Sequence, residues 1–120
     1  MRQTGILSAA CLVSLMDWEE KLSEDNKNAA FLAQELADCS ALIFDPSLVE
    51  TNIVKFKLDK EVSKKLKIDH EGLAAKLKEE HAIWVGTGFH NDHVRLVTHR
   101  GTSKEHCERA SKAIKQILLK

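Results

Sequence analysis

Apolar residues recur along this chain with two different periods, and the changes between them mark the elements. Residues 5–18 are rich in Leu and Ala and carry only the small Ser8 and Ser14 as interior polar positions. A helix apolar nearly all round must be covered by protein on most sides, so this stretch predicts one buried helix and hints at a larger assembly. Residues 19–38 predict a second helix with a clearer stripe: Leu22, Ala29, Leu32, Ala33 and Leu36 fall three, four or seven apart, while Glu20, Lys21, Asp25, Lys27 and Gln34 face away. The period then shortens. Residues 41–44 predict a short strand stopped by the turn signal Asp45-Pro46-Ser47. In residues 52–58, Val54, Phe56 and Leu58 alternate with Lys55 and Lys57, which marks a strand with one buried and one wet face.

Beyond residue 58 the signals alternate again. The charged run from Asp59 to Lys67 is expected to be a solvated connection. Asp69 is placed to cap a helix running to Glu80, with Leu73 and Leu77 on its apolar side. Residues 82–85 predict a strand ending in a Gly86-Thr87-Gly88 loop, and residues 93–98 predict another strand. Thr102, followed by Glu105 as a capping box, is expected to open a last helix whose stripe is Cys107, Ala110, Ile114, Ile117 and Leu118. The expected fold class is α+β: two N-terminal helices, a small, mostly antiparallel sheet covered on one side, and a C-terminal helix. The expected division is a helical segment over residues 1–38 and a small α+β domain over residues 39–120.

Composition narrows the function classes. The 18 basic and 18 acidic residues leave no net charge, which argues against a nucleic-acid partner, since such binders show a basic excess. Cys11, Cys39 and Cys107 are an odd, widely spaced set, neither a disulfide framework nor a zinc motif, and fit reduced thiols in a cytoplasmic protein. The apolar run after Arg2 has the look of a short secretory signal. It is too short for a membrane span, which takes about 20 residues, and Met16, Asp17 and Trp18 stand where a small-residue cleavage site would be needed. No membrane partner is expected.

The segment Val94-Arg95-Leu96-Val97-Thr98-His99 holds the most pointed candidate chemistry. Strand alternation puts Arg95 on the face opposite Leu96. Two readings stand: an arginine at a sheet edge paired with an acid, or an anion receptor, whose guanidinium offers two parallel N–H donors to a carboxylate. His90, Asp92 and His93 lie close in sequence, with His99 on the face of His93 and Arg95. A cation among the ligands opposes a metal ion and the spacing is not that of a helical pair, so no metal site is expected. No nucleophile elbow, phosphate-binding glycine loop or dinucleotide fingerprint is present.

Four segments in order resemble the L-threonine aldolases. Met1-Arg2-Gln3-Thr4-Gly5-Ile6-Leu7-Ser8-Ala9-Ala10 is similar to that family's Met-Arg-Gln-x-Gly-Ile-Leu-Ala-Ala-Ala, and Leu22-Ser23-Glu24-Asp25-Asn26-Lys27-Asn28-Ala29 to its Leu-x-Glu-Asp-His-x-Asn-Ala. Thr51-Asn52-Ile53-Val54 resembles its Thr-Asn-Ile/Met-Val/Leu strand, and Val94 to His99 its Val-Arg-Leu-Val-Thr-His strand. The resemblance implies the small C-terminal domain of a pyridoxal-phosphate enzyme of the aspartate-aminotransferase-like type I fold. The implied reaction is cleavage of L-threonine or L-allo-threonine to glycine and acetaldehyde, by a cytoplasmic homo-oligomer, a tetramer in this family. By the same resemblance Arg95 holds the substrate's α-carboxylate, fixing the rotation of the bond to be cleaved, and Arg2 lies near the cofactor phosphate. The family's Schiff-base lysine, the aspartate at the pyridine nitrogen and the acid–base histidines fall upstream of the part matched here. The chain is therefore expected to be inactive alone. The alternatives are a non-catalytic module that associates with full-length subunits, or the small domain of another type I lyase or aminotransferase.

Overall fold

The computed structural model describes residues 2–88 and 93–119. The elements are α1 (Thr4–Leu15), α2 (Trp18–Leu36), β1 (Leu42–Ile43), β2 (Ile53–Leu58), α3 (Lys60–Leu66), α4 (His70–His81), β3 (Gly86–Thr87), β4 (His93–Val97) and α5 (Lys104–Leu118), with one 3-10 turn over Pro46–Leu48. The described strands form one antiparallel sheet in the order β1-β2-β4-β3. The α+β expectation holds.

Alternation in β2 and β4 sends Val54, Phe56, Val94 and Leu96 to one face, and α2 and α4 pack there with α5 against both helices. Leu36, Phe56, Leu73, Leu77 and Ile114 are fully enclosed in this core. Each stabilises the fold by roughly 1.5–3 kcal/mol through loss of apolar surface from water. The other face of the sheet is left to solvent. The α5 stripe matches the expectation at Cys107, Ile114, Ile117 and Leu118.

Several elements differ from the sequence pattern, each for a local reason. The helix over residues 5–18 is not buried within this chain: every residue of α1 is exposed, and α2 starts anew at Trp18 after a break at Met16 and Asp17. Leu22 is 50% exposed because the first turns of α2 extend beyond the sheet, whereas Asp25, placed by period on the wet side, is only 8% exposed beneath the end of β4. The charged run after Asp59 folds into α3. The Asp59 carboxylate accepts from the N–H groups of Glu61 and Val62, and Val62 and Leu66 pack on the core. Residues 82–85 form no strand. Ala82 adopts the left-handed conformation and Ile83 N–H donates back to the Leu77 carbonyl, so these residues close α4. The ladder is made instead by Gly86 and Thr87, the expected loop, opposite Arg95 and Val94. The capping box also sits one residue later. Ser103 and His106 bond each other's backbone N–H, because the Thr102 hydroxyl already accepts from His99 N–H and its carbonyl from Asn28.

Candidate functional site

The wet face of the sheet is unusually basic for a chain without net charge. Register puts Lys55 of β2 directly opposite Arg95 of β4, and Lys57 opposite His93. Like charges directly opposite on a sheet repel, so this arrangement costs free energy unless an anion lies between or above them. Four ion pairs occur among the described residues: Lys21–Glu24, Lys64–Glu61, Arg100–Asp17 and Lys115–Asp38. None engages Arg95, Lys55 or Lys57.

Arg95 is on an interior strand, not at a sheet edge, since β2 and β3 flank β4. Its side chain runs across Gly86. A methyl group built on that glycine would stand 3.4 Å from Arg95 Nε and 3.5 Å from Nη2. Gly86 thus leaves a shallow track that lets the guanidinium lie along the sheet, its donors turned to solvent. On the same face Lys55 and His93, but not Arg95, line a cleft of about 400 Å³ with Phe44, Leu48, Val49 and Asp45, whose carboxylate accepts from Ser47. Chemically this face offers a planar bidentate donor, a second cation at its side and an apolar wall, an arrangement suited to a small carboxylate.

Arg2 is exposed at the start of α1, which does not pack on the sheet, so this chain does not bring Arg2 and Arg95 into one site. His90 and Asp92 lie outside the described residues. His99 is exposed beyond the end of β4, its ring Nδ1 2.9 Å from the Arg100 carbonyl oxygen.

Behind Arg95 a polar knot holds β4 in place. The buried Thr98 hydroxyl donates to the Asp25 carbonyl at 2.7 Å, Asn52 Nδ2 donates to the Thr98 carbonyl at 2.7 Å, and Asn28 Nδ2 donates to the Thr102 carbonyl at 2.8 Å. Sequence reasoning missed the Lys55–Arg95 register, the track at Gly86 and this knot. The signal for the knot was present: Asp25, Asn28, Asn52 and Thr98 all lie in the segments that carry the family resemblance. Asn28, Asn52 and Thr98 bind backbone across the fold through their side chains, while Asp25 contributes its main-chain carbonyl.

Pyridoxal phosphate, the cofactor the resemblance implies, has no complete site in the described residues. Every described lysine is exposed or only half-buried, whereas a lysine held as an imine needs an enclosed, desolvated setting. Among the described residues no helix is long and apolar enough to cross a membrane.

No family model matches the chain. Curated proteins do. The chain is 44% identical over 54 residues to a probable low-specificity L-threonine aldolase 2 of Arabidopsis thaliana, covering 45% of this chain and 15% of that protein. It is 41% identical over 54 residues to a low-specificity L-threonine aldolase 1 of the same plant. It is 30% identical over 105 residues to the low specificity L-threonine aldolase of Escherichia coli K12, covering 88% of this chain and 27% of that protein. The matches span about a quarter or less of the length of these relatives. The chain is thus related in sequence to proteins named low-specificity L-threonine aldolases.

Proposed function

We propose that this chain is the small C-terminal domain of a pyridoxal-phosphate-dependent L-threonine aldolase, and that its part in the reaction is to hold the substrate's α-carboxylate on Arg95. The observation that carries this reading is the unpaired cationic face, with Arg95 opposite Lys55 and no carboxylate bonded to either among the described residues. A bidentate guanidinium on an interior strand fixes both the position and the rotation of an amino acid's carboxylate, leaving the bond between Cα and Cβ as the one that varies. The rest of the cofactor site, and the lysine that binds it, belong to the larger part of the relatives, which this chain does not span. Arg2 is assigned to the cofactor phosphate, reached across a subunit boundary in a cytoplasmic homo-oligomer. Residues 1–38 meet the large domain, and residues 39–120 carry the substrate-binding sheet.

The test is threonine cleavage by a protein in which this chain replaces the matching segment of the Escherichia coli relative. Arg95→Lys keeps the charge and loses the parallel donors, and is expected to lower kcat/KM for L-threonine about 10²-fold, roughly 2.7 kcal/mol of transition-state stabilisation. Cofactor absorbance and melting temperature stay nearly unchanged. A stability loss of several kcal/mol with kcat/KM intact would make Arg95 a structural residue and end the assignment.

One observation favours a second reading, a non-catalytic module that joins full-length subunits: α1 presents its apolar side chains to solvent along its whole length. Association of the chain with an intact threonine aldolase, without change in that enzyme's activity, distinguishes it.

A further inference from the structure

A second basic cleft lies at the far end of the same sheet, between β2, α3 and α4, with a volume of about 410 Å³. It does not include Arg95, Lys55 or His93. Its walls carry Lys57 from β2 and Lys60 and Lys64 from α3, and Ile43 and Leu58 supply an apolar side. We propose that this cleft binds a phosphate group carried on a small molecule whose apolar body lies against Ile43 and Leu58.

The charge balance is the first ground. Three exposed lysines and His70 line a space of small-molecule size, against Asp69 as the single carboxylate in the lining. Asp69 caps α4, its Oδ1 accepting from Gly72 N–H at 2.7 Å, and its one negative charge leaves the lining with a basic excess. Ser63 is committed, its hydroxyl donating to the Ile68 carbonyl at 2.6 Å. The lysines are not held in this way. Lys64 touches Glu61 at 3.4 Å in a pair with both side chains exposed, which contributes little and yields readily to a stronger anion. Lys57 and Lys60 have no ion-pair partner among the described residues.

The donor type is the second ground. Lysines act as point charges on flexible stems and have no planar fork to match a carboxylate. Several of them around one space suit a tetrahedral group with charge spread over three oxygens. The sheet therefore carries two anion receptors of different chemistry: a guanidinium at its centre and an ammonium cluster at its end.

Titration of the isotope-labelled chain, followed by amide resonances at constant ionic strength, tests this with inorganic phosphate, phenyl phosphate and benzoate. Phosphate is expected to give saturable shifts at Lys60, Ser63 and Lys64, and phenyl phosphate to bind more tightly than phosphate or benzoate. Lys60→Ala with Lys64→Ala is expected to weaken phenyl phosphate about tenfold or more, the loss of charge-assisted hydrogen bonds. Lys57→Gln on the opposite wall weakens it as well, and Lys21→Gln, on α2 outside the cleft, leaves it unchanged. Shifts that drift without saturating, benzoate acting at Lys60, Ser63 and Lys64 as tightly as phenyl phosphate, or phenyl phosphate affinity at these residues lost with Lys21→Gln would each overturn the proposal.

Discussion

Thr98 joins three segments through one small side chain and one carbonyl. Its hydroxyl reaches the Asp25 carbonyl of α2, and its backbone is bonded by Asn52 at the entry to β2. Because the site is buried, no water replaces a lost partner. Thr98→Val keeps the shape and removes the donor, and is expected to cost about 1–2 kcal/mol of stability by urea unfolding. A variant as stable as the parent would show that the hydroxyl contributes nothing to holding β4. Arg95 is the contrasting residue on the same strand. Its donors meet solvent and a like charge, so its replacement belongs in an activity measurement, and the knot behind it belongs in a stability measurement.

At the scale of elements, the helix ends show where the sequence departs from an easy solution. α3 and α4 both end in a left-handed residue that is not glycine, Lys67 with φ 53° and Ala82 with φ 54°. A side chain in that conformation is disfavoured, and glycine is the usual occupant. Ala82→Gly is therefore expected to raise stability by about 0.5–1 kcal/mol, provided the Ile83 bond to Leu77 is kept. A thermal melt compares the two proteins, and a lower melting temperature for the glycine variant would mean that unfolded-state entropy outweighs the relief of strain. Near the end of α2, Asp38 meets Lys115 of α5 at 2.6 Å, and the hydrogen bond from that lysine holds its carboxyl below the usual carboxylate range.

At the scale of the molecule, the shape is unbalanced. The extents are 55 × 28 × 25 Å and the radius of gyration is 16.7 Å, against about 14 Å for a compact chain of this length. The excess comes from α1, where Ile6 is 77% and Met16 83% exposed, with Leu12, Val13 and Leu15 beside them. Apolar surface of this kind drives association. The thiols give a direct readout, since Cys11 on α1 is exposed while Cys39 and Cys107 are buried, with burial pushing both thiols up. Labelling of the folded chain is expected to modify Cys11 first, and the other two only on unfolding. If α1 is covered in solution, Cys11 becomes protected as concentration rises, in step with a larger sedimentation coefficient. Unchanged labelling together with a monomeric sedimentation profile at high concentration would mean that α1 stays bare or folds back on its own chain.

What the sequence determined by itself was whatever depends on neighbours within a few positions. The period in residues 104–118 suffices for the α5 stripe, the alternation of Val54 and Phe56 with Lys55 and Lys57 suffices for the two faces of β2, and Asp69 suffices to start α4. Arg95 also stands out in the sequence as a charged residue within an apolar strand, and alternation suffices to put it on the wet face of β4. Tertiary structure decided the rest. Which residue faces Arg95 depends on strand register, and Lys55 and Arg95 are brought together by pairing between segments distant in the chain. Asp25 reads as a surface residue by helical period and is buried only because β4 ends above it. The run after Asp59 reads as solvated because its charges outnumber its apolar residues, yet Val62 and Leu66 find the core once β2 and α4 are in place. Lys60 and Lys64 of that run then line one cleft with Lys57 of β2. Local pattern specifies which face of an element is apolar; only the packed fold specifies what each polar side chain meets.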